Sequence, residues 1–211
     1  MKCPFCDCVE LSERLIIDSP NYMLFPTLGC FVEDYTLIVS KNHILSVASQ
    51  DDDLLCDLDI FTTKVFDIYR NKLKKNFVVF EHGLIDDFGS GANTVNHLHL
   101  YILPYESEDF NDIKTVLDIP FEEIFFVSFV DLKQSILDKN FSSYLFFQDV
   151  SGKRYLADIT NRSSQSQFFR RIFAERIGNS QGVELNYDWW QHTYMENMQK
   201  TLDNFRLKIN I

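Results

Sequence analysis

In the stretch Asn93-Thr94-Val95-Asn96-His97-Leu98-His99-Leu100-Tyr101-Ile102-Leu103-Pro104, polar or aromatic residues alternate with aliphatic ones. Because successive side chains of a β-strand point to opposite faces of its sheet, this alternation predicts a strand over Val95–Pro104. The two histidines and Tyr101 would share one face, and the aliphatic residues between them would pack into the core. Two imidazoles side by side at the start of a strand predict either a reactive or metal-binding surface or a pair of solvated histidines.

The segments upstream of this strand predict an α+β pattern with hairpin-like connections. Short apolar runs predict four strands: Arg14–Asp18, Asn21–Phe25, Tyr35–Ser40 and Asn76–His82. Between the last two, residues 51–72 carry apolar side chains at helical spacing. Asp51-Asp52-Asp53 begins this segment and basic residues end it, so the charges at both ends oppose the helix dipole.

Residues 106–211 predict a C-terminal α/β extension that packs on the first half. Its predicted elements are an apolar segment that could be strand or helix, a hairpin and two helices: Phe121–Val130, then Tyr144–Gln148 with Arg154–Ile159, then Ser166–Ile177 and Asp188–Asn204. Gly178 would end the first of these helices. Since no low-complexity linker separates the halves, we expect one compact unit with a core over residues 1–105 and an extension over 106–211.

The overall charge bears on the kind of partner. The 211 residues carry a formal net charge of −11, which opposes binding to duplex nucleic acid because such binders present a basic face. A local basic patch could still hold a phosphate group.

No stretch approaches the roughly 20 apolar residues of a membrane span, and the N-terminus has no secretory signal pattern. The sequence therefore predicts a cytoplasmic protein without membrane segments.

The cysteines predict metal binding rather than disulfides. There are five, an odd number, and three cluster at the N-terminus. Cys3-Pro4-Phe5-Cys6 is a CxxC pair, and two cysteines with two histidines make a tetrahedral zinc set. His43 ends one predicted strand and His97 begins another, so Cys3, Cys6, His43 and His97 can close one site if those strands are neighbours. Four protein ligands would leave no position for water, which predicts structural Zn²⁺. The alternative is a set of free thiols.

The remaining cysteines have weaker assignments. Cys8 is a spare thiolate that could replace a ligand, and Cys30 and Cys56 are expected to be ordinary core thiols.

The stretch over 93–104 resembles the signature of the histidine-triad (HIT) family, in which histidines alternate with apolar residues. Glu81-His82-Gly83 upstream fits the family's strand-loop-strand layout. Leu37–His43 resembles the family's strand that ends in Pro-Lys-x-His, with Ser40 in place of the proline. The CxxC resembles zinc-bearing members and the galactose phosphate uridylyltransferase branch. The resemblance covers about residues 1–105 and implies an antiparallel HIT-like sheet with a long packing helix.

The resemblance also implies a chemistry. His99, the middle histidine, would attack an α-phosphorus and form a covalent nucleotidyl-histidine, as in a nucleotide hydrolase or nucleotidyltransferase. The substrate would be a nucleoside phosphate or a dinucleotide. Asn93 and Thr94 stand where the family has phosphate-contacting groups, although they could equally be ordinary loop residues. Family members are commonly homodimers, so the resemblance implies a homodimer unless the extension covers that surface.

Two departures from the family pattern affect this prediction. Tyr101 stands where most HIT hydrolases have a third histidine, and a phenol with a pKa near 10 is a poor proton shuttle at neutral pH. Thr27 falls where many relatives carry an acidic residue for the ribose hydroxyls. The alternatives are therefore a nucleotide-binding module with weak or no turnover, and a small zinc protein in which His99 is idle.

Three further kinds of residue could serve a ligand, two in the extension and one in the first half of the chain. Arg170 and Arg171, near Arg176, could form a phosphate clamp, although such a run is more often a solvated helix face. Trp189, Trp190 and His192 could stack on a base, but packing of a terminal helix is the favoured interpretation for the tryptophans. His82 could face a pocket from its strand, and a structural role is favoured for it.

Overall fold

A computed structural model describes residues 3–6, 12–85, 95–107, 119–160 and 167–209. Within them the strands are β1 (Ile17–Asp18), β2 (Tyr22–Pro26), β3 (Thr36–Ser40), β4 (Phe77–Leu84), β5 (His99–Pro104), β6 (Glu122–Ile124), β7 (Ser143–Gln148) and β8 (Arg154–Asp158). The α-helices are α1 (Asp52–Asp67), α2 (Phe129–Asp138), α3 (Phe168–Gln181) and α4 (Met195–Ile209). None of these described helices combines the length and apolar composition that crossing a membrane requires.

The strands form one sheet in the order β1-β2-β3-β5-β4-β7-β8-β6. Every described strand pair is antiparallel. Among the five described strands of residues 1–105, β4 lies at one edge. Strand β7 of the extension pairs with β4 from Val79 to Leu84. The predicted α+β fold with an antiparallel sheet and a long packing helix is confirmed.

Helices cover both faces of the sheet. On one face, Leu100 belongs to the core cluster that includes Leu58 of the long helix α1. On the other face, Phe173 of α3 stacks on Phe80 of β4 and Phe147 of β7, with ring centroids 5.6 and 6.0 Å away. Because side chains alternate along β5, the positions on either side of Leu100 face α3. The α3 side is therefore the side on which the motif's polar residues lie.

The strand β5 begins at His99, four residues later than the sequence predicted. The Leu98 N–H donates to the carbonyl of Ile44, in the loop after β3, at 2.5 Å. The His97 ring turns towards Ser40 at the end of β3. The chain therefore bends just before β5, and His97 lies outside the regular strand.

The extension differs from its prediction at element boundaries. Phe121–Val130 holds both strand β6 and the start of α2, because Ser128 caps that helix by accepting from the Asp131 N–H at 3.2 Å. The hairpin of β7 and β8 is confirmed. The last helix begins at Met195 rather than Asp188, after a turn in which the His192 N–H donates to the Asp188 carbonyl.

Gly178 does not end α3, contrary to the prediction. The helix continues to Gln181, and Gly182, in the left-handed region with φ of 67°, follows it. Gly178 is instead a contact point, since its carbonyl accepts from the Val183 N–H at 2.9 Å. A Cβ atom at Gly178 would lie 2.6 Å from the Val183 carbonyl oxygen. The glycine therefore lets the chain leaving α3 fold back against the helix.

Replacing Gly178 with alanine is expected to destabilise the protein by about 1–3 kcal/mol, because the added methyl group has no room against backbone atoms. In an unobstructed helix the same change would stabilise by up to about 1 kcal/mol. Denaturant unfolding measures the free energy, and Ser180→Ala on the same helix, exposed to solvent, is the matched control. A stabilised Gly178→Ala protein would show that no close contact exists.

Candidate functional site

Four potential metal ligands meet beside the start of β5. They are Cys3, Cys6, His43 and His97, whose ligand atoms all lie within 4.8 Å of one another. His97 Nδ1 is 3.4 Å from the Cys3 Sγ, 3.7 Å from the Cys6 Sγ and 3.2 Å from the His43 Nδ1. Around a tetrahedral zinc ion, neighbouring sulfur and nitrogen ligands are about 3.6 Å apart and two nitrogens about 3.4 Å apart, given the usual bond lengths. The group therefore fits a tetrahedral metal ion.

The sheet orients His97 for this purpose. As the prediction required, β3 and β5 are neighbours. His97 Nε2 lies 2.8 Å from the Ser40 carbonyl oxygen, which can only accept a hydrogen bond. Nε2 therefore carries the proton and Nδ1 carries the lone pair that points at the cysteines, the arrangement expected of a metal-binding histidine. Burial lowers the pKa of His97, which also favours the neutral ligand form.

The other cysteines have separate environments. Cys30 is buried, as expected, whereas Cys56 is exposed on α1, so its assignment to the core is wrong. Cys8 lies outside the described residues. No disulfide links the described cysteines.

His99 is held in one tautomer by its own motif. Its Nδ1 lies 2.5 Å from the carbonyl oxygen of His97, so Nδ1 carries the proton and donates it. The lone pair is then on Nε2. Burial, as the largest cause, lowers the pKa of His99 to about 4. The hydrogen bond to the His97 carbonyl opposes this shift, and the charges of His97 and Arg170 add to it by smaller amounts. The ring is therefore a neutral imidazole at pH 7, the form that acts as a nucleophile.

A cavity of about 310 Å³ opens in front of His99. Its lining comes from the N-terminal turn, the sheet, the β2–β3 loop and the extension. The polar or charged members are Arg14, Thr27, His82, His99, Tyr101, Gln167 and Arg170, and the larger apolar ones include Phe5, Phe25, Phe168 and Trp189. The Phe5 ring of the N-terminal turn lies 5.6 Å from His97 and 5.3 Å from His99. His97 and His99 therefore lie on the same side of the sheet, with the metal group and the cavity next to each other.

Arg170 brings a positive charge into this cavity from α3. Its side chain is 1 % exposed. Its Nη2 donates to the Gly29 carbonyl at 2.7 Å, its Nη1 to the Thr27 Oγ1 at 3.2 Å and its Nε to the Tyr187 carbonyl at 3.1 Å. Among the described residues no carboxylate forms an ion pair with it. A buried charge without a counter-charge is unfavourable, so this guanidinium favours an anion in the cavity.

Gly29 makes the approach of Arg170 possible. Its φ of 66° lies in the left-handed region, and a Cβ atom there would be 2.5 Å from the Arg170 Nη2 and 2.7 Å from the Trp189 Cβ. The Gly29 N–H also donates to the Thr193 carbonyl at 3.2 Å. The β2–β3 loop therefore joins the extension to the rest of the cavity wall.

Tyr101 and Thr27 occupy the two positions at which the sequence departs from the HIT pattern that it resembles. The Tyr101 ring stacks on Phe80, with centroids 4.8 Å apart, and meets the His99 ring edge-on at 5.1 Å. Burial raises the pKa of Tyr101, so its phenol keeps its proton at neutral pH. The Thr27 hydroxyl donates to the Leu28 carbonyl at 3.0 Å and accepts from Arg170. Both side chains line the cavity, and Thr27 positions the guanidinium.

His82 also lines the cavity, although a structural role was the favoured interpretation. Burial, with a smaller contribution from the nearby His99, lowers the pKa of His82 to about 4. The sequence carried a signal for this placement. His82 stands two residues from Phe80 in a predicted strand, so the two side chains share one face of the sheet.

The structure separates other residues that the sequence grouped together. Arg171 stacks on Tyr187 with its guanidinium 4.8 Å from the ring, and Arg176 lines a different surface hollow, so the predicted arginine clamp is reduced to Arg170. Trp189 lines the cavity and Trp190 is 51 % exposed, which contradicts the interpretation that both are core residues of a helix. Asn93 and Thr94, the predicted phosphate contacts, lie outside the described residues.

Residues 9–108 match the family model described as the HIT domain. No curated protein matches the sequence. Solved structures with a similar fold include a hypothetical histidine triad nucleotide-binding protein from Sulfolobus tokodaii, at 18% identity over 65% of this chain and 90% of that one, with a TM-score of 0.41. A zinc-bound histidine triad family protein from Mycobacterium smegmatis is 19% identical over 52% and 79% of the two chains, with a TM-score of 0.40. A HIT family hydrolase from Clostridium thermocellum is 16% identical over 51% and 94%, with a TM-score of 0.39.

Proposed function

We propose that the chain, whose residues 9–108 match the family model of the HIT domain, is a nucleotide hydrolase or nucleotidyltransferase in which His99 attacks an α-phosphorus. The substrate is a nucleoside phosphate or a dinucleotide, and the reaction passes through a covalent nucleotidyl-histidine. One observation carries the proposal. The His99 ring, fixed by the His97 carbonyl, lines a cavity that also holds the guanidinium of Arg170 without a described carboxylate partner.

The tautomer of His99 supports nucleophilic attack. With Nδ1–H donated to the His97 carbonyl, the Nε2 lone pair can form the bond to phosphorus. The positive charge that develops on the ring during attack is then stabilised by the same hydrogen bond. The phosphoramidate formed in this way is labile, so water or a second substrate can resolve it.

The cavity lining supports recognition of both parts of a nucleotide. Arg170 supplies charge for a phosphate group, with Thr27 holding the guanidinium in place. Asn93 and Thr94 are assigned to phosphate contact by the family resemblance alone. Phe25 and Trp189 supply apolar surface on which a base can stack.

Tyr101 favours a second candidate function. Because burial raises the pKa of Tyr101, its phenol is a poor proton donor at neutral pH. A chain with this side chain near the leaving group could bind nucleotides with little or no turnover. The nucleotide-binding module is therefore the alternative to the enzyme.

Zinc is the metal that we propose for Cys3, Cys6, His43 and His97. Thiolate and imidazole ligands suit zinc, and four of them close its tetrahedral shell. Its role is structural: it fixes the N-terminal turn that carries Phe5 and the segment whose His97 carbonyl orients His99. No step of the phosphoryl chemistry passes through it.

The extension completes the proposed active site, because residues 106–211 supply Arg170 and Trp189 to a cavity whose nucleophile belongs to residues 1–105.

The homodimer stays a prediction. Analytical ultracentrifugation measures it, and a monomer that binds nucleotide would show that the site needs only one chain.

Intact-mass spectrometry tests the proposed function. The protein is mixed with the p-nitrophenyl ester of a nucleoside 5′-monophosphate, because its leaving group departs without protonation. We expect a covalent nucleotidyl adduct and release of p-nitrophenolate. Saturable nucleotide binding without adduct or product would favour the binding module, and neither binding nor adduct would contradict both.

Replacing Arg170 with methionine is expected to weaken binding of a nucleoside monophosphate by about 10–100-fold, since a hydrogen bond to a charged group contributes about 1.5–3 kcal/mol. Affinity for the uncharged nucleoside should change much less. Isothermal titration measures both affinities, and Arg171→Met, one position along α3 and outside the cavity lining, is the matched control. Equal losses for nucleoside and nucleotide would show that Arg170 only supports the fold.

A further inference from the structure

His82 and His99 lie near each other on neighbouring strands, close enough for the charge of one to affect the other. The ladder of β4 and β5 ends with Phe80 opposite Tyr101, and His82 and His99 each stand two residues beyond that pair. The Phe80 and Tyr101 rings stack on the α3 side of the sheet. Because side chains two residues apart share a face, His82 and His99 project to that same side. Both line the cavity, so two imidazoles border the space where phosphorus chemistry is proposed.

The second half of the proposed reaction needs a group that removes a proton. When water or another hydroxyl compound attacks a nucleotidyl-His99, its O–H proton must leave as the new P–O bond forms. The titratable or basic side chains among the described cavity residues are Arg14, His82, His99, Tyr101 and Arg170. The arginines stay protonated and the Tyr101 phenol keeps its proton, so neither type can accept one. His99 is itself bonded to phosphorus at this stage.

We propose that His82 is the general base of this second step, a catalytic residue that takes the proton from the attacking hydroxyl compound. This inference rests on the proposed function of His99. The general base is then a residue of β4, because Tyr101, the third residue of the motif, keeps its proton and cannot accept another.

The O–H bond of the acceptor breaks and its proton passes to an imidazole nitrogen of His82. A P–O bond forms while the bond from phosphorus to the His99 Nε2 breaks, and its electron pair returns to Nε2. His99 is then neutral again, with Nδ1–H on the His97 carbonyl. The His82 imidazolium gives its proton to solvent when the product leaves.

The electrostatics of the cavity fit this cycle. Burial keeps His82 neutral before a nucleotide binds, the form that can accept a proton. Negative charge on the phosphoryl oxygens of the intermediate favours the imidazolium and raises the basicity of His82 when it is needed. Once the anionic product has gone, burial again favours loss of the proton.

The test separates the two half-reactions with the p-nitrophenyl ester of a nucleoside 5′-monophosphate. In His82→Gln, we expect the burst of p-nitrophenolate and the His99 adduct to form, and decay of the adduct to slow by about 100-fold or more. In His82→Ala, added imidazole should accelerate the decay, because a free imidazole can occupy the vacated space and accept the proton. The matched control is His192→Gln, an exposed histidine outside the cavity lining, which should decay like the wild type.

Each outcome bears on one of the two proposals. Absence of an adduct in the wild type would contradict the proposed function of His99. With an adduct in the wild type, unchanged decay in His82→Gln would overturn the assignment of His82 alone. Slow decay in both variants without acceleration by imidazole would also overturn it, since a merely positioning side chain is not replaced by a free base.

Discussion

Replacing His99 with asparagine is expected to abolish the covalent adduct and to reduce turnover on the order of 10⁴-fold or more, since loss of a nucleophile costs up to about 10⁶-fold in other covalent enzymes. Asparagine keeps a polar amide of similar size but has no lone pair that can bond to phosphorus. Its amide N–H can still donate to the His97 carbonyl that now accepts from His99. The loss should therefore come from chemistry rather than from misfolding.

Three measurements check this expectation. Intact mass reports the adduct, p-nitrophenolate release reports the first step, and equilibrium binding of a nucleoside monophosphate reports the cavity. We expect the first two to vanish and the third to remain within about tenfold of the wild type, because Arg170 and the apolar lining are unchanged. An adduct of the same mass on the His99→Asn protein would place the nucleophile elsewhere, and peptide mapping would then identify it.

The matched control is His43→Asn, because His43 lies in the metal group and not in the cavity lining. Loss of a metal ligand should lower zinc content and stability, whereas the adduct on His99 should still form in the protein that remains folded. The two variants thus distinguish a histidine that reacts from a histidine that binds metal, although the metal group and the cavity lie next to each other.

The sheet and the metal group could be predicted because they depend on local patterns. Alternation along 93–104 identified β5 and the side on which His99 and Tyr101 lie. The hypothesis of a metal site required only that β3 and β5 be neighbours, which a hairpin-rich α+β chain makes common. The start of β5 was predicted wrongly because it depends on the hydrogen bond from the Leu98 N–H to the Ile44 carbonyl. The alternation of residue types along the sequence does not reveal that bond.

The cavity wall could not be predicted in the same way, because it depends on contacts between distant parts of the chain. Arg170 enters only because Gly29 leaves room for it and because Thr27 and Tyr187 accept its hydrogen bonds. None of these contacts follows from the spacing of residues along α3, where Arg170 and Arg171 look equivalent. The side of the helix that faces the cavity is decided by the packing of Phe173 on the sheet.

His82 is an intermediate case. Its strand was predicted, and alternation with Phe80 gave its face relative to its own neighbours. Its position relative to His99 depends on the pairing of β4 with β5, which the sequence does not specify. A structural role was therefore the favoured interpretation, and the cavity that His82 lines is the observation that favours a role in the site.

Replacing both Cys3 and Cys6 with serine is expected to remove bound zinc and to lower the melting temperature by roughly 10 °C or more. Structural zinc contributes about 10–16 kcal/mol of apparent binding free energy in small zinc domains. Even a loss of about 3–5 kcal/mol would shift the melting temperature of a chain of this size by that amount. The remaining His43 and His97 cannot hold the ion tightly, since two of the four ligands are gone.

Metal analysis of the purified protein and thermal unfolding with and without a chelator measure this effect. The chelator should lower the melting temperature of the wild type towards that of the double variant and should leave the variant unchanged. Cys56→Ser, an exposed cysteine on α1, is the matched control and should keep its zinc. If the double variant retains stoichiometric zinc, the ligand assignment is wrong. If it loses zinc but not stability, the metal does not hold the N-terminal turn against the sheet, and the packing of Phe5 on His97 and His99 suffices.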